Sequence, residues 1–127
     1  MKPTDDVRVK GYVPLMKPKR LKQEIPISSK AIEAVVSGRE NIEKILLKED
    51  RRLLAIVGPC SIHDENAALE YAAKLDILRK EVKDTLFVVM RVYFEKPRTI
   101  VGWKGLINDP CLDGTCDMLL GLRKARS

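Results

Sequence analysis

Two short stretches of this 127-residue sequence concentrate side chains able to do chemistry. The first is Cys60-Ser61-Ile62-His63-Asp64. A thiolate there could hold a divalent metal, and the neighbouring imidazole could ligate or relay a proton. One cysteine beside one histidine equally describes an inert cysteine buried at a strand end. The second stretch is RVYFEKPRT, which sets the cations Arg91, Lys96 and Arg98 within eight residues and ends in the hydroxyl of Thr99. Glu95 is the only acid between Phe94 and Ile107. Burying such charge unpaired is costly, so anions should balance it, either acidic side chains or the carboxylate and phosphate groups of a bound substrate. Arginine suits bidentate recognition of those groups and lysine a point contact, which points to a phosphorylated anionic substrate. The competing reading is a solvent-facing basic loop; Tyr93, Phe94 and Trp103 are read as loop packing, not as a binding platform.

Each stretch follows an apolar run. Leu53-Leu54-Ala55-Ile56-Val57 is short, lacks polar alternation and ends in Gly58-Pro59, which predicts a parallel-type strand buried on both faces. Residues 86–93, LFVVMRVY, predict a second strand that turns polar near its end. Between them Ala68, Leu69, Ala72, Leu75, Leu78 and Val82 recur on one helical face, with Asp64 as cap, so a helix is expected over 65–82. Strand, helix and strand form a βαβ unit. Its strands deliver both stretches to their carboxyl ends, where loops converge on the open crevice of a parallel sheet.

Upstream, Ser28 and Ser29 followed by Ile32, Val35, Val36, Ile42, Ile45 and Leu46 predict an amphipathic helix over roughly 30–47. Glu33, Glu40 and Lys44 form its solvated face. Pro3, Pro14, Pro18 and Pro26 mark residues 1–27 as an extended arm with short pieces of structure. A long loop containing Pro97, Gly102, Gly105 and Pro110 leads to a last helix beginning near Cys116, with Met118, Leu119 and Leu122 on one side. Residues 1–52 are therefore expected to be an N-terminal extension, and residues 53–127 the first units of an α/β sheet. Two parallel strands with one crossover cannot close a sheet, so partner strands beyond these two are required. The unpaired strands also predict that the isolated chain folds poorly or self-associates.

Composition removes several classes. Hydrophobic content of 45% and charged content of 33% are those of a globular domain, and no apolar run approaches the roughly 20 residues that span a bilayer. The charged, proline-bearing N-terminus does not resemble a secretory signal, so a cytoplasmic protein is expected. Cys60, Cys111 and Cys116 make no C-x-x-C pair, which argues against a disulfide framework or a four-ligand zinc site. The formal charge of +6 is uneven: residues 1–52 carry +5 and residues 53–127 only +1. Its densest part, Lys17, Lys19, Arg20 and Lys22, is broken by Pro18 and has no interleaved aromatics. It reads as a solvated basic loop, not a nucleic-acid patch.

The strings LLAIVGPCSIHD and VVMRVYFEKPRTIVGWKGLINDP, with DDVR near the start and IEKIL before the first strand, identify a family. They resemble the N-terminal third of the class I 3-deoxy-D-arabino-heptulosonate 7-phosphate (DAHP) synthases over residues 4–124. The resemblance implies a TIM (β/α)8 barrel with an N-terminal extension, of which this chain holds the first units. It implies a transferase that condenses phosphoenolpyruvate with erythrose 4-phosphate at the entrance to the shikimate pathway of aromatic amino-acid biosynthesis. A divalent metal of the manganese, iron, cobalt or zinc type is the implied cofactor. By position, Cys60 matches the family's metal-binding cysteine, and Arg91 and Lys96 match residues that contact phosphoenolpyruvate. Lys96, Pro97, Arg98 and Thr99 match the segment that grips erythrose 4-phosphate. Asp5, Asp6 and Val9 resemble positions that help to form an aromatic amino-acid effector site, and the family assembles as homo-oligomers. Neither a nucleic-acid partner nor a membrane is implied.

The departures carry weight too. The family's histidine, glutamate and aspartate metal ligands have no counterpart in these residues, so the implied metal site is incomplete. Cys111 and Cys116 stand where other residue types are expected, and the terminal KARS replaces an apolar helix continuation. The alternative function is therefore a non-catalytic fragment that acts as an assembly or interaction module.

Overall fold

The computed structural model describes residues 5, 7–9, 11–96 and 102–127. Asp6, Pro97, Arg98 and Thr99 lie outside the described residues. In chain order the elements are α1 (Pro18–Glu24), α2 (Ser29–Leu46), β1 (Leu53–Val57), α3 (Glu65–Glu81), β2 (Leu86–Met90) and α4 (Met118–Arg126).

β1 and β2 pair in parallel, Leu53 opposite Leu86 through Val57 opposite Met90, with α3 as the crossover. The Asp64 carboxylate caps α3 by accepting from the Ala67 amide at 2.6 Å, as its position before the apolar face predicts. Ser28 caps α2 in the same way through the Ala31 amide at 3.2 Å. Arg52 staples the amino end of the sheet: its guanidinium meets Asp50 Oδ2 at 2.6 Å and Asn41 Oδ1 at 3.0 Å. It also donates to the Lys83 carbonyl at 3.3 Å and lies over the Phe87 ring at 5.2 Å.

Four expectations are corrected. The second strand ends at Met90, not Tyr93, because the first strand's chain leaves the ladder after Val57. β1 is not buried on both faces: Leu53 and Ile56, which point to opposite faces of the strand, are 69% and 65% exposed. The basic run around Lys19 is helical, with Pro18 in the first turn, where a missing amide costs nothing, and Arg20 pairs with Glu24 at 2.9 Å. The last helix starts at Met118, because Cys116 holds a left-handed φ of 56° and Asp117 is the cap, accepting from the Leu120 amide at 3.0 Å.

The arm is attached to the end of the chain. Glu24 also meets Arg123 at 3.0 Å, and Arg126 Nε donates to the Ile25 carbonyl at 3.0 Å. Two arginines around one carboxylate hold Glu24 below the usual carboxylate range. The well-buried apolar residues are Ile62 and Leu106, both beyond the strands' carboxyl ends. The core thus lies directly beneath the loops that carry the chemistry.

Candidate functional site

The ladder between the two chains continues past the strands with a change of step. The Arg91 amide donates to the Val57 carbonyl and the Ile62 amide to the Tyr93 carbonyl, each at 2.7 Å. The second chain advances from 91 to 93 while the first advances from 57 to 62, so Gly58, Pro59, Cys60 and Ser61 loop out between the two bonds. Gly58 makes this possible. Its φ is +142°, and a Cβ there would sit 2.9 Å from the Arg91 carbonyl oxygen.

The next residues of the second chain form a narrow antiparallel pairing. Leu106 donates to the Phe94 carbonyl at 2.7 Å, Lys96 donates to the Lys104 carbonyl at 2.6 Å, and Glu95 bridges Gly105. Gly105, at φ +140°, lets the two backbones approach, since a Cβ would collide with Phe94 and Glu95 main chain. Asn108 Nδ2 donates to Glu95 Oε1 at 3.1 Å, which ties the far end of the loop to the same turn.

These two pieces of backbone bring the sequence-predicted residues together. The Lys96 ammonium beside Cys60, with lesser contributions from the Ser61 hydroxyl and amide, pulls the Cys60 thiol below its ordinary range against the opposing effect of desolvation. Arg91 Nη2 donates to the Cys60 carbonyl at 3.3 Å. Cys60 is exposed, which overturns the reading of an inert buried cysteine. His63 is exposed as well. Asp5 and Val9 are exposed on the arm, with Val9 at 47%.

Sequence reasoning assigned Tyr93 to loop packing. It lies instead under Arg91, with the guanidinium carbon 4.0 Å from the ring centroid. The signal was available: residues two apart on an extended segment share a face. Trp103 does pack within the loop, half-buried, with Nε1 donating to the Asp109 carbonyl at 2.7 Å.

The arrangement suits anion recognition more fully than metal binding. Arg91 Nε is buried without a hydrogen-bond partner among the described residues, so a donor is available where two cations converge. For a metal, Cys60 offers one soft donor, and no group of three or more His, Cys, Asp or Glu side chains among the described residues could hold an ion. These residues do not by themselves fit a metal centre.

Known proteins resemble this chain over most of its length. A solved structure of phospho-2-dehydro-3-deoxyheptonate aldolase from Francisella tularensis superposes with a TM-score of 0.88 at 46% identity, over 93% of this chain and 35% of that one. The Phe-sensitive phospho-2-dehydro-3-deoxyheptonate aldolase of Escherichia coli K12 is 53% identical over 122 residues, 96% of this chain and 35% of the relative. The Trp-sensitive enzyme of Enterobacter agglomerans is 50% identical over 126 residues, 99% of this chain and 36% of the relative. The tyrosine-inhibited enzyme of Candida albicans is 50% identical over 122 residues, 96% of this chain and 33% of the relative. The chain therefore spans about a third of the length of the curated relatives it matches. The sequence profile of the DAHP synthetase I family matches residues 24–122, where both strands, the looped-out cysteine and the cations all lie, and the chain belongs to that family.

Proposed function

We propose that this chain supplies the first part of a DAHP synthase barrel and that its own contribution is the anion-binding corner of the active site. The reaction is the condensation of phosphoenolpyruvate with erythrose 4-phosphate and water to give DAHP and phosphate. The observation that carries this reading is the convergence of Arg91 and Lys96 on Cys60 at adjacent strand ends. Arg91 and Lys96 hold the carboxylate and phosphate of phosphoenolpyruvate. Lys96, Pro97, Arg98 and Thr99 hold erythrose 4-phosphate, which fixes the aldehyde against the nucleophilic carbon and removes most of the entropic cost of bringing two anions together. Cys60 serves as one donor to a divalent metal whose other ligands come from beyond these residues; such a metal, when bound, polarises the aldehyde.

Residues 53–127 form the opening of the barrel and residues 1–52 its extension, which the Glu24–Arg123 pair ties to α4. Asp5, Asp6 and Val9 contribute to an aromatic amino-acid effector site in a homo-oligomer. The names of the Phe-sensitive, Trp-sensitive and tyrosine-inhibited relatives support an aromatic amino-acid effector. No helix among the described residues is long and apolar enough to cross a membrane.

The second reading is an assembly module without turnover of its own. Exposed Leu53 and Ile56 on an uncovered strand favour it. An assay of the chain with both substrates and manganese separates the two. Turnover above that of a Cys60→Ala control would reject the module, and turnover unchanged in Arg91→Ala would reject this site.

A further inference from the structure

Arginine side chains are long, and holding one in a single geometry costs rotamer entropy unless something pre-organises it. At the end of β2 something does. Arg91 is anchored through its amide to Val57, and Tyr93 through its carbonyl to the amide of Ile62, itself only 7% exposed. Both backbones are therefore fixed, and the guanidinium carbon lies over the Tyr93 ring, 4.0 Å from its centroid. Tyr93 remains 54% exposed, so core packing does not account for an aromatic here. The guanidinium then spends Nη2 on the Cys60 carbonyl and leaves Nε unpartnered among the described residues.

We propose that Tyr93 is a positioning residue for the anion site: its ring holds the Arg91 guanidinium beside the Cys60 carbonyl and leaves Arg91 Nε to donate to a substrate carboxylate or phosphate. This rests on the anion-binding role proposed above for Arg91. The ring face attracts the cation without using any of its hydrogen bonds, so the arginine is oriented while its donors stay available. The phenolic oxygen has no part in this, and phenylalanine should serve as well.

The test is nuclear magnetic resonance on the isotopically labelled chain, with the Arg91 Nε–H resonance assigned through Arg91→Lys and phosphoenolpyruvate as the probe. A proton held over a ring face is shifted upfield by the ring current. Wild type and Tyr93→Phe should show that shift and should respond to phosphoenolpyruvate with the same affinity. Tyr93→Leu should lose the shift and bind about two- to fivefold more weakly, the equivalent of an exposed cation–π contact. A loss of Trp103 fluorescence or of dispersion elsewhere in Tyr93→Leu would mark misfolding, and the Tyr93→Phe comparison then decides, since a phenylalanine without the upfield shift overturns the proposal. An Arg91 resonance unmoved in Tyr93→Leu, or unchanged affinity, overturns it too. A wild-type chain that keeps the ring-current shift but ignores phosphoenolpyruvate would instead reject the anion-site reading on which the proposal rests.

Discussion

Replacing Gly58 by alanine should separate the two strand ends that build the site. At φ +142° a residue with a Cβ sits in a region that costs on the order of 1–3 kcal/mol. The new methyl would also lie 2.9 Å from the Arg91 carbonyl oxygen and 3.2 Å from the Arg91 nitrogen, both backbone atoms of the paired chain that cannot swing away. Overpacking of that kind adds about 1–3 kcal/mol. Against this, alanine gains only about 0.4–1 kcal/mol from a less flexible unfolded chain. The net destabilisation is about 1–6 kcal/mol, and it falls on the Arg91-to-Val57 bond. Native-state hydrogen exchange reads that bond and its neighbour directly. Protection of the Arg91 and Ile62 amides should fall by at least about fivefold, since a factor of ten corresponds to about 1.4 kcal/mol. Gly38→Ala in α2 is the control: nothing lies within 4 Å of its Cβ, so it should stabilise by about 0.5–1 kcal/mol and leave both amides as they are. Protection in Gly58→Ala within twofold of wild type would refute the claim that a close backbone approach fixes Arg91.

Cys60 should alkylate faster at neutral pH in wild type than in Lys96→Met, because the lysine contact lowers the thiol's pKa. The same shift predicts a pH dependence of stability: folding favours the thiolate, so the contribution is present above the ordinary thiol pKa and is lost as pH falls through the lowered one. Equal alkylation rates across the pH range in the two proteins would count against the contact. Self-association is expected through the exposed apolar side chains of β1, and Ile56→Lys should reduce it; a monodisperse wild-type monomer with a sharp cooperative melt in sedimentation and calorimetry would contradict this. Metal binding by the chain alone should be weak, since a tight site needs about three protein ligands and one is offered. Submicromolar manganese or zinc binding that vanishes in Cys60→Ser would mean that further ligands converge on Cys60.

The parts of this fold that obey short-range rules were legible in the sequence. Leu53–Val57 is the predicted strand to the residue, Asp64 caps the predicted helix, and α2 spans Ser29–Leu46 where periodicity placed it over 30–47. Residue types at the strand ends also marked Cys60 and Arg91, which the structure brings within hydrogen-bond reach of each other. What stayed hidden depends on which backbones meet. The sequence does not reveal that Lys96 reaches Cys60, because that requires the 94–96 segment to pair with 104–106 across Gly105. Nor does it reveal how far Leu53 and Ile56 stand uncovered, since an apolar strand reads the same whether or not its neighbours are present.

The same distinction explains why the chemistry can be argued from so small a core. A closed barrel would bury the apolar sides of β1 and β2, yet the loops at their carboxyl ends are held by bonds internal to this chain: Val57 to Arg91, Ile62 to Tyr93, Phe94 to Leu106 and Lys96 to Lys104. Ile62 and Leu106, the buried apolar residues, sit within that network and not within the strands. Geometry at Cys60, Arg91 and Lys96 is thus set by local crossings of two backbones, while stability of the sheet depends on surfaces these crossings leave open. A chain built this way should keep Arg91 beside Cys60 whenever β1 and β2 are paired, and should lose that arrangement, as Gly58→Ala tests, when their ends are forced apart.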